Sequence, residues 1–423
     1  MPKVVIIGGG AAGLLAAGRA AECGAKVILL ERNSIVGRKL RITGKGRCNV
    51  TNTAEKADFI AAFGPDGKFL YGAYSRFSNQ DVIDLLERLG VPTKVERGGR
   101  VFPKSDSADD VANALAKWIK DLGVDVRPGT KVQGLAVEDA CEAGESGEGC
   151  TRRVTGVKVF SGVIPADAVI LATGGITYPK TGSTGDGYRM GVEVGHTVVP
   201  PAPSLTALDA KESWVPDLEG LSLKNVSAAL LVNGKRVAKE QGEMLFTHFG
   251  VSGPIVLTLS KVYSSLTEYP PSVSLSINLK PGVTREQLDE RLIGDFTRTV
   301  HYKNYLSELL PRMLIPVFTR LSMIPADTSI NKVTAEQRKR IIDLLLDFRM
   351  TITGTRPMDE AIVTAGGVST REIDPRTMES KLVSGLYFAG EVVDVDAVTG
   401  GFNLQAAFTM GWVAGESAAG SGK

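Results

Sequence analysis

The first residues of the chain follow the hydrophobic pattern of a strand, a helix and a second strand. Val4 to Ile7 is an uninterrupted apolar run of the kind that a strand buried on both faces requires. Ala, Leu, Arg and Glu then fill positions 11 to 22, which predicts a helix that Gly24 ends. Ala25 to Leu30 is a second apolar run, and it ends at Glu31. The pattern predicts one βαβ unit.

Two amphipathic helices stand out further along. One is predicted from a Ser78 cap to Gly90 and the other from near Ser107 to Gly123, each with apolar residues at helical spacing. They are expected to cover a sheet. Residues 32 to 77 are rich in Gly, Arg, Asn and Thr and are predicted to form extended loop rather than packed elements.

Strands are predicted at 130–138 and 154–160, where the composition favours β structure. The Gly- and Glu-rich stretch 141–153 between them is typical of a solvated hairpin loop and carries no predicted chemistry. The apolar run from Ala168 to Ala172 then leads into a second glycine turn, Thr173 to Gly175.

The pattern of residues along the chain changes after three prolines between 200 and 203. Alternating segments such as 273–279 indicate a half-exposed antiparallel sheet, and Asn233-Gly234 predicts a type I′ hairpin turn. Helical patterns follow between 284 and 348, with a possible capping box at Thr334 and Gln337. After about residue 355 the glycine-rich pattern of short strands and turns seen in the first half returns. A terminal helix is predicted from Asn403 onwards.

Composition and charge narrow the class of protein. A chain of 423 residues with 43% apolar residues can bury a large core in two or three domains. Lys and Arg total 49 against 47 Asp and Glu, which argues against nucleic acid or a membrane as a partner. No apolar run approaches the roughly 18 residues of a membrane span, and no signal peptide is expected. The chain has only four cysteines, widely spaced, so we expect the protein to work in the reducing cytoplasm.

The glycine turn after the first strand fits a dinucleotide-binding fingerprint. Gly8 to Gly13 reads G-x-G-x-x-G between strand and helix, and Glu31 follows at the end of the second strand. Gly8 permits the tight turn, Gly10 lets the backbone approach a pyrophosphate, and Gly13 allows close packing of the helix. The helix N-terminus supplies donors for the phosphates, and Glu31 can accept hydrogen bonds from ribose hydroxyls.

This motif alone does not separate NAD from FAD. Two features favour FAD: the fingerprint opens the chain, and the turns at 172–175 and 385–391 could close on the same cofactor from distant sequence. No second complete fingerprint is present, so NAD(P)H, if used, is expected to act as a transient electron donor without its own Rossmann domain.

A basic, glycine-rich loop follows the βαβ unit. The segment from Gly37 to Asn52 places cations among glycines, and either a solvated loop or a cradle for the pyrophosphate or flavin would explain it. We prefer the cradle, because a positive group near the pyrimidine end stabilises reduced anionic flavin.

Three long motifs resemble a known family. GRKLRITGKGRCNVTN, GEMLFTHFGVSGP and the stretch from AGGVSTREIDP to MGWVAG look like the bacterial flavoproteins often labelled NAD(P)/FAD-dependent oxidoreductases, which include an aminoacetone oxidase and an enone reductase of bile-acid dehydroxylation. The resemblance spans nearly the whole chain. It implies an α/β fold in which a Rossmann-like FAD-binding domain in two segments carries an inserted β-barrel and a helical subdomain. The expected limits are 1–198 and 351–423 for the FAD-binding domain, 199–282 for the barrel and 283–350 for the helices.

The fingerprint and the resemblance together predict which residues surround FAD. They are Gly8, Gly10, Ala11, Ala12, Gly13, Glu31, Arg32, Arg38, Lys39, Leu40, Gly46, Arg47, Cys48, Asn49, Val132, Ala172, Thr173, Gly174, Gly175, Gly390, Glu391, Gly401, Asn403, Leu404 and Gln405.

Few residues qualify for direct chemistry. Cys48 has no C-x-x-C partner, so a structural thiol is preferred over a covalent flavin link or redox action. The three histidines do not indicate a metal site. His248, in a glycine-broken loop of the inserted domain, is the candidate proton donor or substrate-orienting residue, and a structural histidine is the alternative. Tyr178 is a weaker candidate of the same kind.

Two reactions on a small molecule remain open. In the first, NAD(P)H reduces the flavin, which then reduces an activated C=C bond such as that of a steroid- or bile-acid-like enone. In the second, a primary amine such as aminoacetone is oxidised and oxygen takes the electrons. We prefer the reductase, because no amine-binding acid cluster is evident in the inserted domain. A third hypothesis, a structural or sensory FAD beside an RNA-binding barrel, is disfavoured by the near-neutral charge. The oligomeric state is not predicted.

Overall fold

The computed structural model describes residues 1–140, 151–266 and 272–420. Most of the loop predicted at 141–153 therefore lies outside the described residues. The strands are β1 Lys3–Ile7, β2 Lys26–Leu30, β3 Thr51–Asn52, β4 Thr93–Glu96, β5 Arg100–Pro103, β6 Asp125–Arg127, β7 Val132–Ala140, β8 Thr151–Val159, β9 Gly162–Pro165, β10 Ala168–Leu171, β11 Val198–Ser204, β12 Leu208–Ala210, β13 Ser222–Val232, β14 Lys235–Phe246, β15 Gly250–Ser252, β16 Val273–Asn278, β17 Phe348–Thr355, β18 Val363–Val368, β19 Val383–Ser384 and β20 Leu386–Phe388.

The α-helices are α1 Ala11–Glu22, α2 Lys56–Ala61, α3 Tyr71–Arg76, α4 Asn79–Arg88, α5 Ala108–Asp121, α6 Asp186–Glu193, α7 Pro254–Ser264, α8 Arg285–Asp295, α9 Tyr302–Tyr305, α10 Ile315–Ser322, α11 Ala335–Leu346 and α12 Phe402–Ala418. The chain divides into two compact units, unit 1 with residues 1–202 and 358–423 and unit 2 with residues 203–357. The limits given above for the FAD-binding domain, the barrel and the helical subdomain, at residues 198, 282 and 350, stay predictions.

Unit 1 is built on a five-stranded sheet in the order β20-β10-β1-β2-β6. All four pairings are parallel, and all four residues of β10 and the last four of β1 and β2 are buried. Sheets covered on both faces produce these continuous apolar runs. The predicted βαβ unit is confirmed, and so is the Rossmann-like fold class.

The two ends of the chain pack together in unit 1 through small residues. A Cβ at Gly411 would lie 2.2 Å from the carbonyl oxygen of Ala12, and one at Gly415 would lie 2.4 Å from that of Ala16. Helices α1 and α12 therefore approach more closely than side chains would allow. The predicted terminal helix is confirmed and begins at Phe402.

The prediction that residues 32 to 77 form extended loop is wrong. The segment contains β3, α2, α3 and two 3-10 helices, Leu40–Gly46 and Gly64–Leu70. Its aromatic residues supply a small core, in which Phe59 stacks on Tyr74 at a ring-centroid distance of 4.0 Å and lies 5.2 Å from Phe63. Burial of these rings stabilises the turns of this segment. The glycines of those turns, considered without the rings, predict only a loop.

Unit 2 contains a closed barrel with the strand order β12-β15-β14-β13-β16-β17, together with helices α7 to α11. The predicted hairpin is present: β13 pairs with β14, and Asn233 and Gly234 both have positive φ, 50° and 77°, as a type I′ turn requires. Strand β16 alternates buried and half-buried residues, and the capping box of Thr334 and Gln337 is formed. The inserted barrel and helical region of the predicted fold class are confirmed.

One buried histidine makes the stability of unit 1 dependent on pH. Nδ1 of His196 lies 3.1 Å from Oε2 of Glu372, and Nε2 lies 2.8 Å from Oγ of Ser380. Burial of the ring lowers the pKa of His196, although the Glu372 carboxylate acts in the opposite direction. Folded protein therefore binds this proton more weakly than unfolded chain, so the contribution of His196 is complete above about pH 6.5 and is lost as pH falls.

We expect His196→Gln to remove this dependence. Between pH 7.5 and 5.5 the free energy of unfolding of the unaltered protein should fall more steeply, by up to about 1.4 kcal/mol per pH unit, than that of the variant. Urea unfolding at several pH values measures the two slopes. Parallel slopes would contradict the prediction.

Candidate functional site

Three neighbouring strands of the unit 1 sheet end at the same edge in glycine turns. In the parallel register Ile7 lies beside Leu171, and Leu171 lies beside Phe388. Gly8 and the turn 172–175 follow β1 and β10 directly, and Gly390 lies two residues after the end of β20. The structure thus gathers the distant turns that the sequence predicts to meet, at the sheet edge where doubly wound folds bind their ligands.

The three glycines of the fingerprint differ in what surrounds them. Gly8 has φ of 105°, and a Cβ there would lie 2.4 Å from the carbonyl oxygen of Ala172. A Cβ at Gly13 would lie 1.9 Å from the carbonyl oxygen of Gly8, so the start of α1 depends on its absence. Around Gly10 no described protein atom lies within 4 Å of a Cβ position. Gly8 and Gly13 shape the turn, whereas Gly10 faces open space.

Glu31 is buried beside the glycine turn. Its Oε2 accepts a 2.8 Å hydrogen bond from the backbone N–H of Gly9, and its Oε1 accepts 2.7 Å bonds from the backbone and side-chain amides of Asn33. These bonds fix the carboxylate at the mouth of the turn, and Oε2 retains capacity for another donor. Sequence reasoning missed Asn33; its position two residues after the acid was the available signal.

Lys39 and Glu391, 352 residues apart in sequence, form an ion pair of 2.6 Å. Lys39 Nζ also donates to Thr177 Oγ1 at 2.8 Å, and the Glu391 carboxylate accepts from the backbone N–H of Thr364 at 2.8 Å. Burial opposes ionisation of Glu391, but Lys39 and these donors hold its pKa below its usual value. The sequence did not indicate Thr177 and Thr364, because the fold alone brings them to the pair.

Three arginines near the site are committed to protein partners. Arg38 donates to Asn33 Oδ1 at 3.1 Å. Arg47 forms ion pairs with Glu96 and Asp106, each at 2.5 Å, and these bonds raise the pKa of its guanidinium. Arg32 pairs with Asp186 at 2.8 Å. Lys39 therefore joins the turns to the second segment, while Arg47 belongs to a neighbouring charged surface.

Cys48 is fully buried with a positive φ of 59°. Burial raises the pKa of the thiol to about 12, so it is protonated at neutral pH. A protonated, inaccessible thiol is a poor nucleophile. These facts support the structural role that was preferred for it.

We expect iodoacetamide at pH 8 to alkylate Cys23, which is partly exposed, well before Cys48 in native protein. Peptide mass spectrometry after timed labelling measures both sites, and labelling in urea shows that the Cys48 peptide is detectable. Equal native rates at the two cysteines would contradict a buried thiol.

The second segment of unit 1 reaches the site through the start of α12. Gly401 has φ of 100°, and a Cβ there would lie 2.3 Å from the carbonyl oxygen of Thr51. Asn403 fastens the preceding loop through 2.8 and 3.0 Å hydrogen bonds with the backbone of Ala397. Gln405 is fully buried and bonded to Thr51 at 2.6 Å, so its amide is occupied within the protein.

The residues at this sheet edge fit FAD. Gly10 leaves open space at a helix N-terminus, and Glu31 lies beside it. Asn49 Oδ1 and Thr173 Oγ1 are buried without a hydrogen-bond partner among the described residues, which is rare unless a ligand supplies one. The individual contacts with FAD stay predictions for the whole predicted set. When bound, FAD supplies two-electron redox chemistry.

The candidates for proton transfer lie in different units. His248, in unit 2, has a side chain that is 67% exposed, and its Nδ1 lies 3.3 Å from Oε1 of Glu219. Tyr178, in unit 1, has φ of 52° and a ring whose centroid lies 5.8 Å from Lys39 Nζ. Both roles stay predictions.

The described residues form neither a metal-binding cluster nor a membrane-spanning helix. Within 1–140, 151–266 and 272–420, no group of three or more His, Cys, Asp or Glu side chains is placed to hold a metal ion. In the same ranges, no helix has both the length and the apolar character needed to cross a bilayer.

The two-segment Rossmann-like fold and its glycine edge define an FAD-dependent oxidoreductase. The chain belongs to the family described as HI0933-like protein Rossmann domain, whose model matches residues 2–417.

Relatives match nearly the whole chain. The 3-dehydro-bile acid delta(4,6)-reductase of Clostridium scindens is 32% identical over 424 residues, covering 99% of each chain. The ribosomal RNA dihydrouridine synthase of Escherichia coli is 31% identical over 409 residues, covering 96% of each, and that of Haemophilus influenzae is 30% identical with the same coverage.

Solved structures share the fold. A flavocytochrome c3 fumarate reductase aligns with a TM-score of 0.54 at 20% identity, covering 100% of this chain and 78% of its own. The 3-ketosteroid-delta4-(5alpha)-dehydrogenase from Rhodococcus jostii aligns with a TM-score of 0.53 at 17% identity, covering 99% and 97%.

Proposed function

We propose that this protein uses NAD(P)H and FAD to reduce a carbon–carbon double bond conjugated to a carbonyl. The observation that carries the proposal is that relatives with two different names, each matching almost the whole chain, are named for the same bond change. In a 3-oxo delta(4,6) steroid the double bonds are conjugated to the ketone. Dihydrouridine differs from uridine by two hydrogens on a double bond that is conjugated to a ring carbonyl.

The reaction class sets what the chain must supply. A conjugated double bond accepts a hydride at the carbon remote from the carbonyl, and a proton must reach the neighbouring carbon. His248 is the proposed proton donor, and its Nδ1 lies 3.3 Å from Oε1 of Glu219. Glu31 and the glycine turn hold the cofactor, and the Lys39–Glu391 pair ties the second segment to that site.

The first candidate substrate is a small enone of steroid or bile-acid type. A uracil base within RNA is the second candidate. Two relatives named for that substrate favour it, and so does the clustering of basic residues in segments 38–47 and 94–104. Oxidation of a primary amine is the competing reaction.

Anaerobic mixing of holoprotein with each reductant tests the proposal. NADH or NADPH should bleach the visible absorption band of the flavin, and a 3-oxo-4-ene steroid or a uridine-containing RNA should then restore it without oxygen. Bleaching by aminoacetone alone, with no response to either nicotinamide, would replace the proposal by the amine oxidase. Flavin that neither nicotinamide reduces would also contradict it.

The variant His248→Gln tests the proton donor. We expect it to slow restoration of the flavin band by the double-bond substrate about 100-fold more than it slows bleaching by NAD(P)H. The variant Glu219→Gln is a milder control that keeps the ring and removes the carboxylate. Equal effects of His248→Gln on both half-reactions would assign the histidine a structural role.

A further inference from the structure

Positive charge is concentrated in two segments of unit 1. Segments 38–47 and 94–104 hold nine basic residues and one acidic residue, Glu96, although the whole chain has a formal net charge of only +2. A near-neutral total therefore hides a strongly uneven distribution.

The fold brings the two segments onto one surface. Strands β3, β5 and β4 form one sheet, in which Asn52 lies opposite Arg100 and Glu96 lies opposite Arg100 on the other side. The guanidinium of Arg47 lies 4.2 Å from the ring centroid of Phe102, and that of Arg100 lies 5.7 Å from it. We call the resulting patch the basic surface; it consists of Lys45, Arg47, Lys94, Arg97, Arg100 and Lys104.

Acidic neighbours neutralise only part of the basic surface. Glu96 and Asp106 are shared among Arg47, Lys94 and Arg100. In the described ranges Lys45, Arg97 and Lys104 are exposed with no ion-pair partner. Two acids facing six cations leave a net positive surface.

The basic surface is joined to the predicted flavin site by hydrogen bonds. Asn52 Nδ2 donates to the carbonyl oxygen of Gly98, between Arg97 and Arg100, and to that of Gly400, each at 3.0 Å. Gly401, the next residue, belongs to the segment predicted to surround FAD. A ligand held on the basic surface would therefore lie next to the predicted flavin site.

We propose that the basic surface binds the phosphate backbone of an unpaired RNA segment and so presents a uracil base to the flavin site. A small enone carries at most one anionic group and has no use for six spaced cations, whereas RNA offers one phosphate per nucleotide. Enzymes and RNA-binding modules reach bases mainly in loops and single strands, where the base can be turned out. This inference rests on the proposed double-bond reduction, and it opposes the expectation that net charge excludes nucleic acid.

Fluorescence anisotropy with a labelled RNA hairpin that has uridines in its loop tests the surface. Relative to the unaltered holoprotein, the triple variant Arg97→Gln, Arg100→Gln, Lys104→Gln should bind the RNA roughly 10- to 100-fold more weakly. The slope of its log binding constant against log salt concentration should be shallower by about two. The matched control Lys235→Gln, Arg236→Gln, Lys239→Gln removes three exposed cations from the β13–β14 hairpin of unit 2 and should bind as the unaltered protein does. Unchanged FAD content in both variants shows that the fold is retained.

Several results would overturn the inference. The first is an RNA affinity of the surface variant equal to that of the unaltered protein. The second is a loss of RNA affinity in the control variant as large as that in the surface variant. The third is binding to anionic phospholipid vesicles in place of RNA. Flavin reduction by NAD(P)H is measured separately, so absent RNA binding with intact reduction refutes the surface alone. RNA binding without reduction by either nicotinamide refutes the proposed function instead.

Discussion

The variant Gly10→Val is expected to yield folded protein that has lost at least about 100-fold in affinity for FAD. Gly10 has φ of −82° and ψ of −166°, a conformation that valine adopts readily, and no described protein atom lies within 4 Å of its Cβ position. The new side chain therefore costs the apoprotein little. It occupies the space where a pyrophosphate approaches the helix N-terminus.

Titration with FAD and thermal unfolding of the apoprotein measure the two halves of this prediction. The variant Gly72→Val is a matched control, because a Cβ there also meets open space but Gly72 lies outside the glycine edge. Gly13→Val is the opposite case and should fail to fold, because its Cβ would lie 1.9 Å from the carbonyl oxygen of Gly8. Normal flavin content in Gly10→Val would refute the assignment of the cofactor to this turn.

The second large effect is expected from Lys39→Met, which leaves Glu391 as a charge without its partner. Both side chains are about one-fifth exposed, so we expect the free energy of unfolding to fall by about 2 to 3 kcal/mol, somewhat less than for a fully buried pair. Urea unfolding at several FAD concentrations separates this loss from any change in cofactor binding.

The effect has a defined pH dependence. Because the pKa of Glu391 is depressed in the folded protein, the stabilisation is present above about pH 4.5 and is lost as pH falls through the lower folded value. Lys39→Met should therefore cost more at pH 7 than at pH 4. The double variant Lys39→Met, Glu391→Gln should recover part of the stability, since no isolated charge remains. Additive losses in the double variant would show that the two residues act independently.

Local chemistry explains the correct predictions. The βαβ unit, the Asn233-Gly234 hairpin and the capping box at Thr334 are each specified within a few residues, by apolar spacing, positive φ or a reciprocal cap. The elements within 32–77 were missed because their stability comes from rings such as Phe59 and Tyr74 that meet only after folding.

The residues of the candidate functional site also fall into those that the sequence predicted and those that it did not. The fingerprint glycines and Glu31 were found because their spacing reports the turn itself. Asn33, Thr177 and Thr364 were not, since single hydroxyls and amides carry no signal until the sheet places them beside Glu31 and the Lys39–Glu391 pair.

By itself, the sequence determined the dinucleotide fold, because turns, caps and apolar periods act over short distances. The choice of FAD over NAD and the return of the chain to its first domain came from longer features, namely the family motifs and the repeated glycine-rich pattern. Only the tertiary structure decided which distant groups meet. The order β20-β10-β1 gathers three glycine turns at one edge, and the β3-β5-β4 sheet joins two basic segments that lie about fifty residues apart. The physical reason is that side-chain charges and hydrogen-bonding groups act through space, and strand pairing fixes those distances.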